Sequence, residues 1–194
     1  TGSAAVSNTQ AAGDISIGMM ERNGIHVDVV RAVDHDIATG VQPDMKEFGW
    51  EKDDWPEIFE KVKTANILVL LAPIWLGEKS SVCTRVIERL YGNSHLLNDA
   101  GQYLYYGKTG GCVITGNEDG IKHCSMDLLY ALQHIGYVVP PQADCGWIGE
   151  AGPGPSYGDT EWKGEAIDPP LRYANDFTNR TTPTRVVISS RSSV

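Results

Sequence analysis

The feature that most constrains the fold is an uninterrupted apolar run, "NILVLL" at residues 66–71, which is followed at once by "APIWLGEKSS". Successive side chains of a strand point to opposite faces of a sheet, so a strand that is apolar at every position must be covered on both faces. The run therefore predicts a central parallel strand between two layers of helices. The proline, tryptophan and glycine after it lie where that strand would end.

Helical and strand patterns alternate along the rest of the chain. Apolar residues recur at helical spacing in four segments, residues 8–24, 53–65, 78–92 and 125–136. Apolar or β-branched runs predict further strands at residues 25–34, 111–115 and 137–149. This alternation is typical of an α/β fold with a doubly wound parallel sheet.

The 194 residues are enough for one domain, which we predict to span residues 1–194. Residues 151–183 are rich in Gly, Pro and acidic residues and predict a long surface loop that carries Tyr157, Trp162 and Tyr173. Residues 184–194 form an atypical tail with a strand-like core.

Three glycine-rich segments follow predicted strands: "APIWLG", "TGNEDG" and "GWIGEAGPGPSYG". Each would lie at the carboxyl edge of the sheet, and ligands of open α/β sheets bind outside that edge. We therefore expect three separate turns to converge on one crevice.

The segment "TGSAAVSNTQ" places several hydroxyl side chains just before the first predicted helix. Backbone N–H groups at a helix N-terminus, together with hydroxyl donors, can bind a phosphate. The segment has no lysine, which excludes a Walker-type triphosphate loop and suits a monophosphate ester. From this segment alone, plain helix capping by Ser7 or Asn8 is the favoured interpretation.

The other two turns offer groups suited to a planar ligand. Gly77 would let a backbone amide approach closely, and Trp75 and Leu76 offer an apolar surface. Asn117 supplies an amide donor and an acceptor. The structural alternatives are that Trp75 covers the sheet edge and that Asp119 only caps the following helix.

Taken as a set, "SNT", "APIWLGEKSS…RVIERL" and "VITGNEDGIKH" resemble the flavodoxin-like family of NAD(P)H-dependent FMN reductases and quinone reductases, over residues 3–180. The resemblance implies a flavodoxin-like three-layer sandwich with FMN as cofactor, NAD(P)H as co-substrate, and no catalytic acid, base or nucleophile. It implies that the phosphate is held by Ser3, Ser7, Asn8 and Thr9. It implies that the flavin ring lies between two turns, against Pro73, Ile74, Trp75, Leu76 and Gly77 and against Gly116, Asn117, Glu118, Asp119 and Gly120.

The chain departs from that family at both ends. The family begins with an apolar central strand that leads into the phosphate loop, and this first strand is missing before Thr1. The family ends in a helix, whereas this chain ends in "PTRVVISSRSSV". Because a missing central strand would leave two neighbours unpaired, we hypothesise that "RVVIS" fills the position, in its own chain or a partner's.

Charge and composition narrow the functional classes. The formal net charge of −9 argues against nucleic-acid binding. No apolar run is long enough to span a bilayer and no signal peptide is recognisable, so we expect a cytoplasmic protein without a membrane partner. The four cysteines are dispersed, which predicts thiols and disfavours an iron–sulfur cluster. The "DHD" at residues 34–36 is a poor metal site, because neighbouring residues on a strand point apart.

Three functions remain open. The favoured function is an FMN-dependent oxidoreductase that passes electrons from NAD(P)H to a quinone or other small acceptor. The alternatives are a flavodoxin-type one-electron carrier with protein partners and a cofactor-free interaction module. His123 could face the crevice and donate a proton, although a solvated helix-surface position is favoured. A homo-oligomer is expected, with residues 157–173 available for the interface.

Overall fold

The computed structural model describes residues 7–152 and 155–159 and the main chain of residues 185–189. Ser3 of the predicted phosphate site, and Trp162 and Tyr173 of the predicted loop, lie outside these residues. In the described part of the chain, no helix has the length and apolar character needed to cross a membrane.

Four helices and six strands make up the regular structure of these residues. The helices are α1 (Asn8–Arg22), α2 (Trp55–Thr64), α3 (Ser81–Gly92) and α4 (Ile121–His134). The strands are β1 (Val29–Arg31), β2 (Ile67–Trp75), β3 (Glu78–Lys79), β4 (Thr109–Asn117), β5 (Asp144–Gly149) and β6 (Arg185–Ser189). Short 3₁₀ turns lie at Ala32–Asp34, Met45–Phe48 and Tyr157–Asp159.

The main sheet has the order β1-β6-β2-β4-β5, and all of its neighbouring strands are parallel. In one row across the sheet, Val187 pairs with Val29 on one side and with Val69 on the other. This is the flavodoxin-like order 2-1-3-4-5 with its second position filled by β6, the last of the described strands. The hypothesis that "RVVIS" fills the central position is therefore confirmed, and it does so within its own chain.

Helices cover the two faces of the sheet, as the apolar run at residues 66–71 predicted. Alternate residues of β2 point to opposite sides: Leu68 and Leu70 join the core beneath α2, α3 and α4, whereas Val69 and Leu71 join the core beneath α1. Burial of both faces is the main stabilising term of such a sheet. The flavodoxin-like α/β class is confirmed.

A buried ion pair holds the segment between β1 and α2 against α3. Asp53 and Arg89 are joined at 2.6 Å, and both side chains are fully buried. The Asp53 carboxylate also accepts hydrogen bonds from the backbone N–H groups of Ala38, Met45 and Trp55. Burial lowers the pKa of Arg89, and the Asp53 charge acts in the opposite direction.

Three local predictions are corrected. Of residues 25–34, only Val29–Arg31 is strand, and a 3₁₀ turn follows it. Residues 78–79 do not begin a helix; they pair antiparallel with the end of β2, and α3 begins at Ser81. Tyr157 does not lie on a surface loop, because its side chain is buried and packs against Trp147 at 5.7 Å between ring centroids.

Candidate functional site

The turn after β2 is a tight hairpin with unusual backbone geometry. Trp75 pairs with Glu78, so that Leu76 and Gly77 form a two-residue loop with φ values of 51° and 77°. Positive φ at both central residues is typical of a type I′ turn, where Asn or Gly is the usual first residue. A leucine there is strained, and its side chain is fully exposed, with the 40% exposed Trp75 beside it.

The turn after β4 also uses the left-handed region. Glu118 has φ 76° and Gly120 has φ 97°. The backbone N–H of Glu118 donates to the carbonyl oxygen of Gly149 at 3.0 Å, which joins this turn to the end of β5. Strained non-glycine residues persist only where their surroundings hold them, and they concentrate at functional sites.

The two turns are in direct contact. A Cβ atom on Gly120 would lie 2.7 Å from the carbonyl oxygen of Gly77, so only glycine fits there. The same carbonyl accepts a weak hydrogen bond from the Cys124 thiol at 3.6 Å. The two turns, predicted separately from the sequence, therefore meet through Gly77 and Gly120. Ile74, predicted to flank the flavin, is instead buried in the core and packs against Gly116.

The start of α1 lies near the same edge of the sheet. The Thr9 hydroxyl is buried and 2.7 Å from the hydroxyl of Thr115, just before the β4 turn. Ser7 caps the helix, its hydroxyl accepting from the N–H of Gln10 at 3.0 Å. The Asn8 side-chain oxygen accepts from the N–H of Gly158 at 2.8 Å.

These contacts change the expected roles of the first loop. Other groups of the protein already bond to the hydroxyls of Ser7 and Thr9 and to the side-chain oxygen of Asn8. The first N–H groups of a helix have no partner within it, so the N–H groups of Asn8 and Thr9 are the donors that this end of α1 offers to an anion.

Sequence reasoning missed the return of residues 155–159 to this edge. Tyr157 packs on Trp147 of β5, and Gly158 bonds to Asn8, which is 150 residues earlier in the chain. The surrounding glycine- and proline-rich sequence has no periodicity that signals burial. In this segment, the only sequence signal of burial was the aromatic side chain of Tyr157.

A histidine–carboxylate contact and an ion pair join the hairpin to α4. The Nε2 atom of His123 lies 2.5 Å from the Glu78 carboxylate, and both side chains are more than half exposed. Lys79 is 2.5 Å from Asp127. Burial acts to lower the pKa of Lys79, but the bond to Asp127 and the nearby carboxylates outweigh it and the pKa is raised. His123 thus lies on the helix surface, as favoured, with its ring turned to Glu78.

No cluster of three or more His, Cys, Asp or Glu side chains suited to a metal occurs in the described ranges. The "DHD" residues have separate partners: Asp34 pairs with Arg31, His35 with Asp54, and Asp36 with Lys52. The four cysteines are buried, without a disulfide. Burial raises the pKa of the Cys145 thiol to about 12, which makes it a poor nucleophile.

The geometry fits a flavin nucleotide. Trp75 and Leu76 present apolar surface that no described residue covers, and the glycines at 77 and 120 bring backbone close to the rim. A helix N-terminus lies at the same edge for the phosphate. An exposed apolar surface and a helix N-terminus at one edge of the sheet are compatible with the ring and the phosphate of FMN.

Comparison with known proteins also indicates a flavin-related enzyme. Residues 1–147 match the model of a family described as NADPH-dependent FMN reductase. The crystal structure of RosB with the bound intermediate 8-demethyl-8-formylriboflavin-5'-phosphate superposes with a TM-score of 0.73 and 32% identity, covering 92% of this chain and 78% of that one.

Two curated proteins are similar in sequence. The 8-demethyl-8-aminoriboflavin-5'-phosphate synthase of Streptomyces davaonensis is 37% identical over 164 residues, which is 82% of this chain and 63% of that protein. A Mycobacterium bovis protein named divalent metal cation transporter MntH is 60% identical over 177 residues, 91% of this chain and 25% of that protein. The chain thus spans less than two thirds of the length of either.

Proposed function

This chain belongs to the NADPH-dependent FMN reductase family, and from that premise we propose that it is an FMN-dependent oxidoreductase that passes electrons from NAD(P)H to a quinone or another small acceptor. The contact between the β2 and β4 turns carries the proposal. It joins an exposed apolar wall to a glycine-lined backbone rim at the carboxyl edge of the sheet. Bound FMN would supply the redox chemistry.

Each part of the rim has a separate task in this proposal. Trp75 and Leu76 pack against the ring system and exclude water from one face. The N–H groups of the Leu76–Gly77 hairpin loop would donate to ring heteroatoms and stabilise added negative charge, whereas the N–H groups of Glu118 and Asp119 already bond to carbonyl oxygens of the protein. The N–H groups of Asn8 and Thr9 hold the phosphate. No described side chain is needed as acid, base or nucleophile.

Cofactor uptake is the direct test. The intact chain is mixed with FMN, and the quenching of flavin fluorescence and the shift of the flavin absorption bands are followed. Riboflavin, which lacks the phosphate, is the matched control ligand. We expect saturable binding of FMN and binding of riboflavin weaker by about tenfold or more, since one charged contact is lost. Equal binding of both ligands would contradict the phosphate site.

Reduction by NADPH separates the oxidoreductase from a one-electron carrier. Under anaerobic conditions, stopped-flow mixing with NADPH should bleach the flavin fully, and menadione should restore its colour. A flavodoxin-type carrier would bind FMN but resist direct reduction by NADPH. That result would favour the carrier.

A second candidate is an enzyme that modifies the flavin itself. The RosB structure contains a flavin phosphate as reaction intermediate, and its fold covers 92% of this chain. Mass spectrometry of FMN after prolonged aerobic incubation with the protein and an amine donor, with and without NADPH, distinguishes the two, because exchange of a flavin methyl group for an amino group needs an oxidant and a nitrogen source. An unchanged mass through many cycles of acceptor reduction supports the oxidoreductase, and a changed mass supports the modifying enzyme.

We propose a homo-oligomer as the working form, with cytoplasmic location. Support for the oligomer comes from α4, where Met126 and Tyr130 are exposed one turn apart and Tyr130 packs on His134. Light scattering on the purified chain tests the subunit number. A monomer at micromolar concentration would contradict it.

A further inference from the structure

A second concave site lies apart from the flavin rim. It has a volume of about 350 Å³, within the range of small-molecule pockets. None of its residues belongs to the turns at 73–77 or 116–120. It lies between α2, the end of α3 and the segment after α3, and its lining includes Asp44, Phe59, Glu60, Lys63, Asn93 and Leu97.

Its walls are apolar and rigid. Phe59 is buried and lies between two other rings, stacked on Trp55 at 6.2 Å and edge-on to Tyr105 at 6.4 Å. Leu97 stands at the opening and is 58% exposed. A flat aromatic wall held by its neighbours favours a planar apolar ligand, because little side-chain entropy is lost on binding.

One polar side chain of the cavity has a donor that a ligand could use. Asn93 is only 2% exposed, and its side-chain oxygen accepts the indole N–H of Trp55 at 2.8 Å. The indole nitrogen can only donate, so this bond fixes which end of the amide is oxygen. The amide nitrogen makes no hydrogen bond among the residues that the structure describes, and it is not one of the unpartnered polar atoms that are closed to solvent. A ligand in the cavity can therefore reach it.

The charged residues at the opening of this second cavity are paired and leave no net charge for a ligand to match. Lys63 pairs with Glu60 at 3.3 Å, and Asp44 pairs with Lys46 at 3.6 Å. A charged ligand would therefore find no unpaired opposite charge on Asp44, Glu60 or Lys63. The cavity therefore suits a neutral molecule.

We propose that this cavity is a second small-molecule site that takes a neutral aromatic ketone, with the ring against Phe59 and the carbonyl oxygen accepting a hydrogen bond from the amide nitrogen of Asn93. It neither needs nor contacts a flavin. The proposal is thus independent of the oxidoreductase function.

The bicyclic ketone 1-tetralone is the probe, because it does not accept electrons from flavins as quinones do. It is titrated into the ¹⁵N-labelled full chain while amide resonances are followed by NMR. We expect saturable shifts of the Asn93 side-chain NH₂ and of the backbone around residues 59 and 93–97. Shifts confined to residues 73–77 and 116–120, or none at millimolar probe, would overturn the proposal.

Two variants test the contacts. Asn93→Asp keeps an oxygen for Trp55 but removes the donor, and we expect probe affinity to fall about tenfold or more. Leu97→Glu places a charge on the exposed wall and should weaken binding similarly without disturbing the core. Val138→Glu, at an exposed position outside the cavity, is the matched control and should leave probe affinity unchanged. Wild-type affinity in both Asn93→Asp and Leu97→Glu would refute the assignment.

Discussion

At the scale of single residues, the site is defined by backbone conformations that the sequence would not otherwise choose. Leu76 and Glu118 adopt positive φ values of 51° and 76°, which cost about 1 kcal/mol or more per residue in non-glycine residues. Leu76 also exposes its whole side chain to solvent. Both features are unfavourable in the free protein, and the proposed binding of a planar ligand over the turn would cover the exposed side chain.

Replacing Leu76 with Asn tests this trade between stability and binding. Asparagine tolerates the left-handed region, so we expect the free energy of unfolding to rise by about 0.5 kcal/mol. Loss of the apolar contact should weaken FMN binding by about fivefold. Urea unfolding and flavin fluorescence titration measure the two effects. A Leu76→Asn protein that binds FMN as tightly as the wild type would show that this side chain does not touch the flavin.

Gly120→Ala tests the contact between the two turns. The new Cβ would meet the Gly77 carbonyl oxygen at 2.7 Å at a position with φ 97°. We expect a loss of about 2 kcal/mol in stability and at least about tenfold weaker FMN binding, because the rim must open. Gly101→Ala is the matched control: its φ is 72°, but a Cβ there meets nothing within 4 Å. It should lose stability from strain alone and keep its FMN affinity.

At the scale of elements, the ends of helices connect the layers of the fold. The start of α1 is joined to β4 through the hydroxyls of Thr9 and Thr115. The end of α2 is capped by Lys108, whose Nζ donates to the carbonyl oxygens of Val62 and Lys63 at 3.3 and 2.6 Å. A cation at a helix C-terminus is favourable, but this one is partly buried.

Lys108 makes stability depend on pH in a defined direction. Burial lowers its pKa from 10.5 to about 8 in the folded protein. The folded state therefore binds this proton less tightly than the unfolded chain, and the penalty is complete below pH 8 and disappears as pH rises toward 10.5. Urea unfolding should show wild type gaining stability relative to Lys108→Met between pH 7.5 and 9.5. A constant difference between the two proteins would contradict the lowered pKa.

At the scale of the whole molecule, the sheet is completed by the last described segment of the chain. β6 lies between β1 and β2 and pairs with both through its main chain. The core strands thus come from distant parts of the sequence, and the proposed flavin rim follows β2 and β4, of which β2 is a direct neighbour of β6. The stability of the candidate flavin site should therefore depend on β6, although β6 belongs to none of the three turns.

Proline at Val187 tests this dependence. Val187 lies in the row that joins Val29 to Val69, and proline there cannot donate a ladder hydrogen bond. We expect a loss of about 3 kcal/mol or more and a parallel loss of FMN binding. Val29→Pro on edge strand β1, which has one neighbour only, should cost less. If thermal unfolding finds Val187→Pro as stable as wild type, β6 does not occupy the centre of the sheet in solution.

The sequence by itself determined the layered α/β fold, the strand at residues 66–71 and the turns after β2 and β4, because periodicity and glycine placement are local signals. It also indicated that "RVVIS" would fill the vacant central strand. Only the tertiary structure decided that Gly77 and Gly120 touch, that Thr9 turns its hydroxyl to Thr115 instead of a ligand, and that Tyr157 is buried. The first two outcomes depend on contacts between residues more than 40 positions apart, and the segment that carries Tyr157 is bonded to Asn8, 150 positions away. Such contacts form only when the whole sheet is assembled, so no local pattern encodes them.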